Sequence, residues 1–139
     1  MNNHVFLDID TVLDLAISSR KGHRAAIVLL DAVENDSLRA SVCATDLPNV
    51  SSELEGFMGA DDALLYMQAL VEALDVATVD EAVCKQALAL GEGSFATRVL
   101  QVCAEKSNAD YVITSNPAAF KKSNIKAIDA TKLIRLQAQ

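Results

Sequence analysis

Short aliphatic runs alternate with longer stretches of helical periodicity along the whole chain. Such runs are typical of strands in a buried parallel sheet, and apolar residues three and four apart are typical of helices packed on it. The sequence predicts strands at residues 4–8, 38–43, 76–78, 111–114 and 125–128. It predicts helices that begin near residues 11, 23, 45, 61, 80, 94 and 129. We therefore expect right-handed βαβ units in a three-layer α/β/α sandwich with a mostly parallel central sheet.

Local signals refine the boundaries of these helices. Thr11 followed three residues later by Asp14 fits a capping box at the start of the first helix. The stretch 55–59 predicts a break before a long helix that runs from Asp61. The apolar residues on one face of that long helix are Leu64, Met67, Val71 and Leu74. Asp129 is expected to cap the last helix.

Composition indicates one folded domain. Of the 139 residues, 51% are hydrophobic and 22% are charged, so we expect a single domain over residues 1–139. Aromatic residues make up only 4%, so the core must consist mainly of Ala, Val, Leu and Ile. The net charge of −7 argues against broad, non-specific binding of nucleic acid, which depends on Lys and Arg. That charge still permits a nuclease that meets one phosphate through a bound metal.

The N-terminus and the cysteines both favour the cytoplasm. Asp8 and Asp10 interrupt the apolar N-terminus, so no signal peptide is expected. No apolar stretch reaches the roughly 20 residues that a membrane span needs, so no membrane association is expected. Cys43, Cys84 and Cys103 are odd in number and lack metal-ligand spacing, which predicts reduced core thiols.

Three of the predicted strands end beside polar residues. Asp8 ends the first strand, Asp46 comes just after the second, and Thr114 to Asn116 close the strand near the C-terminus. Ligands of parallel α/β sheets bind outside the carboxyl ends of the strands. If these strands are neighbours, two carboxylates and an Asn-containing loop meet at one edge. Oxygen ligands of this kind suit Mg²⁺ or Mn²⁺.

Three segments of the chain resemble the PIN-domain family. Residues 5–14 (VFLDIDTVLD) are similar to its opening strand, acid and helix, and residues 40–47 (ASVCATDL) to the step that carries its second acid. Residues 108–117 (NADYVITSNP) are similar to its late strand and loop. The resemblance covers nearly the whole chain. It places Asp8 and Asp46 at the first two acidic positions, as catalytic and metal-binding residues, with Asn116 as a further metal ligand.

The family resemblance also implies a function and partners. It implies homodimers and the Mg²⁺- or Mn²⁺-dependent hydrolysis of RNA, in which the metal activates a water. Many small PIN proteins are VapC-like toxins of toxin–antitoxin pairs, which a small antitoxin protein neutralises. A VapC-like endoribonuclease that acts on RNA is therefore the first functional hypothesis.

The chain departs from the family pattern at two acidic positions. Thr97 stands where related proteins carry a third acid, and Arg98 follows it directly. Ala119 stands where a further Asp is expected. The departures imply a weak or absent metal site and weakened or lost activity. The alternative hypothesis is a catalytically inactive PIN-fold protein that binds RNA or a protein.

Several polar residues keep two interpretations. Asp10 is expected to cap the first helix, with a role as a compensating ligand as the alternative. Asp46 is equally well interpreted as a site residue and as an N-cap or first-turn acid of the next helix, and it can be both. Asn116 is interpreted either as a site residue or as a residue that shapes the turn before Pro117. Lys121 and Lys122 are candidates for contact with phosphate. The dense basic cluster at residues 20–24 could also touch RNA, although a solvated loop is the more common outcome.

Overall fold

Five parallel strands form the sheet. The computed structural model describes residues 3–91 and 93–138. The strands are β1 (Asn3–Leu7), β2 (Leu38–Cys43), β3 (Asp75–Ala77), β4 (Tyr111–Ile113) and β5 (Lys126–Ile128). They lie in the order β3-β2-β1-β4-β5, and every neighbouring pair is parallel. The predicted strands and the predicted parallel sheet are confirmed.

An α-helix follows every strand except β4. The helices are α1 (Ile9–Ala16), α2 (His23–Glu34), α3 (Leu47–Met58), α4 (Ala60–Ala73), α5 (Glu81–Ala89), α6 (Phe95–Lys106) and α7 (Ala130–Gln137). Single 3-10 turns at Ala44–Asp46 and Pro117–Phe120 follow β2 and β4. Asp129 caps α7, as predicted, because its carboxylate accepts a hydrogen bond from the backbone N–H of Lys132.

The helices cover both faces of the sheet. Successive side chains of a strand point to opposite faces. Val5 and Leu7 of β1 accordingly pack in the core shared with α1, α2, α3, α4 and α7, whereas Phe6 packs in the core shared with α5 and α6. The result is the predicted three-layer α/β/α sandwich. Its two cores consist almost entirely of aliphatic side chains, as the low aromatic content requires.

The first helix begins earlier than its capping signal predicts. Asp8 is the N-cap of α1: its backbone is extended, and its carboxylate accepts a hydrogen bond from the N–H of Ile9. Thr11 lies inside the helix, buried, and its hydroxyl donates to the carbonyl of Ile113 at 3.1 Å. The capping-box interpretation of Thr11 and Asp14 is therefore wrong. The chain turns into helix at the end of β1, so the strand-ending acid caps it first.

The predicted break at residues 55–59 is shorter than expected. Helix α3 continues through that stretch to Met58, and the chain turns only at Gly59, whose φ of 88° is readily accessible to glycine. Helix α4 then begins at once. Gly56 lies on the exposed side of α3 and does not interrupt it.

The apolar face predicted for the long helix coincides only in part with the buried face of α4, since Met67 is half-buried and packs against the core. Ala63 and Leu70 face the core, whereas the side chains of Leu64 and Val71 are 64% and 49% exposed. The buried side is therefore rotated by about one residue, or about 100°, from the predicted one. Leu74, just after the helix, is buried as part of the core. An outward apolar surface remains on α4.

The cysteines and the helix lengths agree with the remaining expectations from composition. Cys43 and Cys103 are buried free thiols, and Cys84 is a half-buried free thiol. Among the helices of residues 3–91 and 93–138, none combines the length and the apolar character that crossing a membrane requires.

Candidate functional site

The strand order brings the predicted site residues to one edge of the sheet. β1 is central, with β2 on one side and β4 on the other. Asp8 follows β1, Asp46 lies three residues after β2, and the segment from Thr114 to Asn116 follows β4. Because the strands are parallel, all three segments lie at the carboxyl edge, where α/β proteins bind their ligands.

Both carboxylate oxygens of Asp8 are held by the surrounding backbone and side chains. One oxygen accepts from the N–H of Ile9 at 2.9 Å, and the other accepts from the hydroxyl of Thr114 at 2.9 Å. An ionised carboxylate has about four acceptor positions, so each oxygen keeps capacity for a further partner. Asp8 is thus fixed in orientation, at the end of the central strand, with acceptor positions left for a further partner.

Asp46 is buried at the N-cap position of α3. Asp46 is only 9% exposed and immediately precedes α3. The predicted position of Asp46 at the start of the helix is confirmed, but its side chain makes no capping hydrogen bond to that helix. A carboxylate buried in this way is costly unless it has a charged or hydrogen-bonding partner. Its position therefore calls for an explanation other than helix capping.

Burial and neighbouring charge raise the pKa of both acids. Burial raises the pKa of Asp8; the Thr114 hydroxyl opposes the rise and the charge of Asp10 adds to it. Burial also raises the pKa of Asp46 to about 6, and the negative charge of Asp8 adds to that rise. Asp8 and Asp46 are thus close enough to interact electrostatically. Perturbed carboxyl groups in such a position are typical of functional sites.

The loop after β4 is tied to both Asp8 and Asp10. The buried Thr114 hydroxyl donates to Asp8 and accepts from the backbone N–H of Asn116 at 3.1 Å. Asp10 accepts hydrogen bonds from the backbone N–H and the hydroxyl of Ser115. Asp10 therefore holds the loop in place through these hydrogen bonds. Its predicted role as a helix cap is wrong. The side chain of Asn116 is exposed on this loop.

Thr97, Ala119 and Asn116 line a common cleft of about 440 Å³. Lys121 and Lys122 line it as well, whereas neither Asp8 nor Asp46 does. The Thr97 hydroxyl accepts a hydrogen bond from Ser94, the N-cap of α6. The two positions at which the family pattern expects further acids are thus brought together, on one side of the loop, and neither carries a carboxylate.

The donor set at this edge suits one divalent cation better than two. Carboxylate and amide oxygens are suitable ligands for Mg²⁺ or Mn²⁺. In residues 3–91 and 93–138, however, no three acidic, His or Cys side chains are grouped closely enough to hold a metal ion. Asp8 and Asp46 can supply two carboxylates. Asn116, the third predicted ligand, lines the cleft beside Thr97, which neither acid lines.

Sequence reasoning missed the part that Thr114 plays. This Thr is 1% exposed, and its hydroxyl connects Asp8 with the start of the loop that carries Asn116. A polar residue at the end of a buried strand was the available signal. The partner of its hydroxyl lies 106 positions away in the chain, so the sequence alone does not reveal the contact.

The fold is similar to those of PIN-domain toxins in solved structures. VapC20 of Mycobacterium tuberculosis, described as a toxin that cleaves the sarcin-ricin loop, matches with a TM-score of 0.62 and 15% identity over 78% of this chain and 86% of that one. DNA-bound VapBC from Salmonella typhimurium matches with a TM-score of 0.66 and 15% identity over 94% of this chain and 99% of the other. VapBC-1 from nontypeable Haemophilus influenzae matches with a TM-score of 0.65 and 15% identity, over 92% and 98%.

These similarities establish the class of fold. The chain has the VapC-like PIN fold, so the predicted resemblance is confirmed at the level of architecture. No protein-family model matches the sequence, and no curated protein does. Identities of 15% carry the fold alone, because one fold can host several functions.

Proposed function

We propose that this protein is a VapC-like endoribonuclease of the toxin–antitoxin type whose activity is weakened by the loss of two acidic residues. The observation that carries the proposal is the pair Asp8 and Asp46 on a PIN fold. Both acids follow adjacent strands, and both have raised pKa values. Keeping two carboxylates in such a place costs stability, which is typical of a site retained for function.

Asp8, Asp46 and Asn116 would hold one Mg²⁺ or Mn²⁺ ion. Such an ion, when bound, supplies an activated water and positive charge for phosphodiester hydrolysis. Asp8 is the better positioned of the two acids, because Ile9 and Thr114 fix its orientation. The loop carrying Asn116 is in turn held by Thr114 and Asp10. The weakness of the site follows from Thr97 and Ala119, which supply no carboxylate.

The outer surface of α3 and α4 supports a protein partner. Phe57, Leu64, Leu65 and Val71 are each about half exposed or more. A cluster of exposed apolar side chains is typical of an interface rather than of a free surface. We assign this α3–α4 surface to a homodimer contact with a second copy of the chain. The similar folds solved as VapBC support, in addition, a small antitoxin-like protein as partner.

One observation favours a second candidate function. The described residues contain no group of three metal-binding side chains, and the cleft beside Thr97 is lined by Lys121 and Lys122. A cleft of this character favours binding of an RNA phosphate without hydrolysis. The second candidate is therefore a catalytically inactive PIN-fold protein that binds RNA or protein.

Cleavage of a mixed panel of fluorescent RNAs tests the proposal. Wild type, Asp8→Asn and the control Asp62→Asn are compared with Mg²⁺ and then with Mn²⁺. Asp62 is an exposed residue in the first turn of α4, so its change leaves the site intact. We expect slow cleavage by the wild type and by the control, and none by Asp8→Asn. Absence of cleavage by all three folded proteins at high concentration would favour the inactive candidate.

A further inference from the structure

A second cleft is lined by Thr114 and Ser115 of the loop after β4, whereas the cleft beside Thr97 is lined by Asn116 of the same loop. The volume of the second cleft is about 650 Å³, within the usual range of small-ligand sites. The turn between α1 and α2 forms one wall, through Arg20 and Lys21. The loop residues Thr114 and Ser115 and the first turn of α7 form the other. No role is assigned to this cleft by the proposed metal site.

The α1–α2 turn is built around Asp14. Arg20 donates through Nε to the Asp14 carboxylate at 2.7 Å, and the His23 ring contacts the backbone carbonyl of Asp14 at 2.8 Å. A Cβ atom on Gly22 would collide with the same carboxylate, so a larger residue there would displace Asp14 from its place beside Arg20. The Arg20 side chain is therefore held in a fixed position at the wall of the cleft. Asp14, predicted to face the helix N-terminus, instead forms this ion pair.

Two cationic side chains, Arg20 and Lys21, and two anionic ones, Asp14 and Asp129, line this cleft. Asp14 is paired with Arg20, and the carboxylate of Asp129 accepts from the backbone N–H of Lys132. Lys21 is exposed, and no hydrogen bond or ion pair within the described part of the chain engages it. Arg20 also donates through Nη2 to the backbone carbonyl of Asp10 at 3.5 Å. The Lys21 ammonium and the guanidinium N–H groups of Arg20 outside its bonds to Asp14 and Asp10 are suited to an oxyanion with several acceptor atoms, of which phosphate is the common case.

The cleft adjoins the acid pair through one buried residue. Thr114 lines the cleft, and its hydroxyl donates to Asp8. A ligand in the cleft would therefore lie next to whatever Asp8 and Asp46 bind. A nucleic-acid strand presents phosphates at regular intervals, and it can place one at each position. The basic cluster at residues 20–24 is a local positive region on an acidic protein, and it can attract one phosphate of such a strand.

We propose that the cleft between the α1–α2 turn and α7 binds a backbone phosphate of single-stranded RNA, adjacent to the phosphate that meets Asp8 and Asp46. Lys21 and Arg20 are the residues that bind it. The choice of RNA rests on the proposed function, whereas the phosphate subsite rests on the cleft itself. This subsite requires no metal ion.

Binding of a fluorescein-labelled 12-nucleotide RNA, measured by anisotropy in EDTA over a series of KCl concentrations, tests the proposal. Lys21→Gln removes the exposed ammonium and leaves the Arg20–Asp14 pair intact. We expect affinity to fall about five-fold and the slope of log K against log salt to decrease by roughly 0.7, the value for one phosphate contact on a single strand. The matched control is Lys85→Gln, on α5, whose Lys is exposed and paired with Glu81.

The outcomes separate this subsite from the proposed nuclease. Because the binding assay contains EDTA and needs no metal-dependent step, the effect of Lys21→Gln on affinity is expected even if no protein cleaves RNA. Loss of cleavage would then count against the nuclease alone. Equal affinities and salt slopes for Lys21→Gln and Lys85→Gln would overturn the subsite, as would the absence of RNA binding by the wild type at low salt.

Discussion

Replacing Asp46 by Asn is expected to stabilise the protein at neutral pH in the absence of metal. Asp46 is buried, and its pKa is raised from 3.8 to about 6. The folded protein therefore resists ionisation of this group more than the unfolded chain does. Asn has nearly the same shape and no charge, so the variant does not pay the free-energy cost of burying an ionised carboxylate.

The magnitude follows from the difference between the folded and unfolded pKa values. At pH 7.5 Asp46 is ionised in both the folded and the unfolded state. A rise of about 2 units in its pKa on folding then lowers the free energy of unfolding by roughly 3 kcal/mol. Because the pKa of Asp46 is higher in the folded protein than in the unfolded chain, the wild type has its full stability below the unfolded pKa. It loses stability as the pH rises through the folded pKa. The gain from Asp46→Asn should therefore shrink to about 1.5 kcal/mol at pH 5 and vanish below the unfolded pKa.

Urea unfolding in EDTA, followed by circular dichroism at pH 7.5 and pH 5, measures this gain. Asp62→Asn is the control, because it replaces an exposed carboxylate and should change the free energy of unfolding by no more than about 0.5 kcal/mol. In separate samples without EDTA, added Mn²⁺ should stabilise the wild type and leave Asp46→Asn unchanged, since a ligand stabilises the state that binds it. A variant less stable than the wild type at pH 7.5, or a gain independent of pH, would refute the reasoning.

Three further predictions concern the missing acids, the α1–α2 turn and the α3–α4 surface. The double change Thr97→Asp with Ala119→Asp puts carboxylates into one cleft, and calorimetry should show tighter Mn²⁺ binding; unchanged affinity would contradict ligand loss. Gly22→Ala forces a Cβ against Asp14 and should cost about 1–3 kcal/mol in urea unfolding. Gly56→Ala, in an open helical position, should instead gain up to about 1 kcal/mol; equal effects would count against the clash. Leu64→Glu should yield monomers in light scattering, and a persistent dimer would exclude this surface.

The fold could be predicted from the sequence because its signals are local. Aliphatic runs mark the strands, and the polar residues Asp80, Ser94 and Asp129 cap the helices that follow them. The position of Asp8 at a strand end likewise predicted its place at the carboxyl edge. Both kinds of signal depend on neighbours within a few residues, and tertiary packing agrees with them.

The roles of individual acids could not be predicted because their partners are distant in the chain. Asp10 looks like a helix cap, but its partner Ser115 lies 105 positions away. The same limit hid the contact between Thr114 and Asp8. The prediction of the buried face of α4 failed for another reason. Large apolar residues lie on the outer surface of this helix, and periodicity alone cannot distinguish a face that packs in the core from an apolar face that is exposed.

Counting bound Mn²⁺ by electron paramagnetic resonance is the most direct test of the metal site. The wild type, Asp8→Asn, Asp46→Asn and the control Asp62→Asn are each titrated with Mn²⁺ at neutral pH. The account predicts one weakly bound ion per chain in the wild type and the control, and none in Asp8→Asn or Asp46→Asn. A wild type that binds no Mn²⁺, or binding that survives both site substitutions, would contradict the assignment of Asp8 and Asp46 as a metal site.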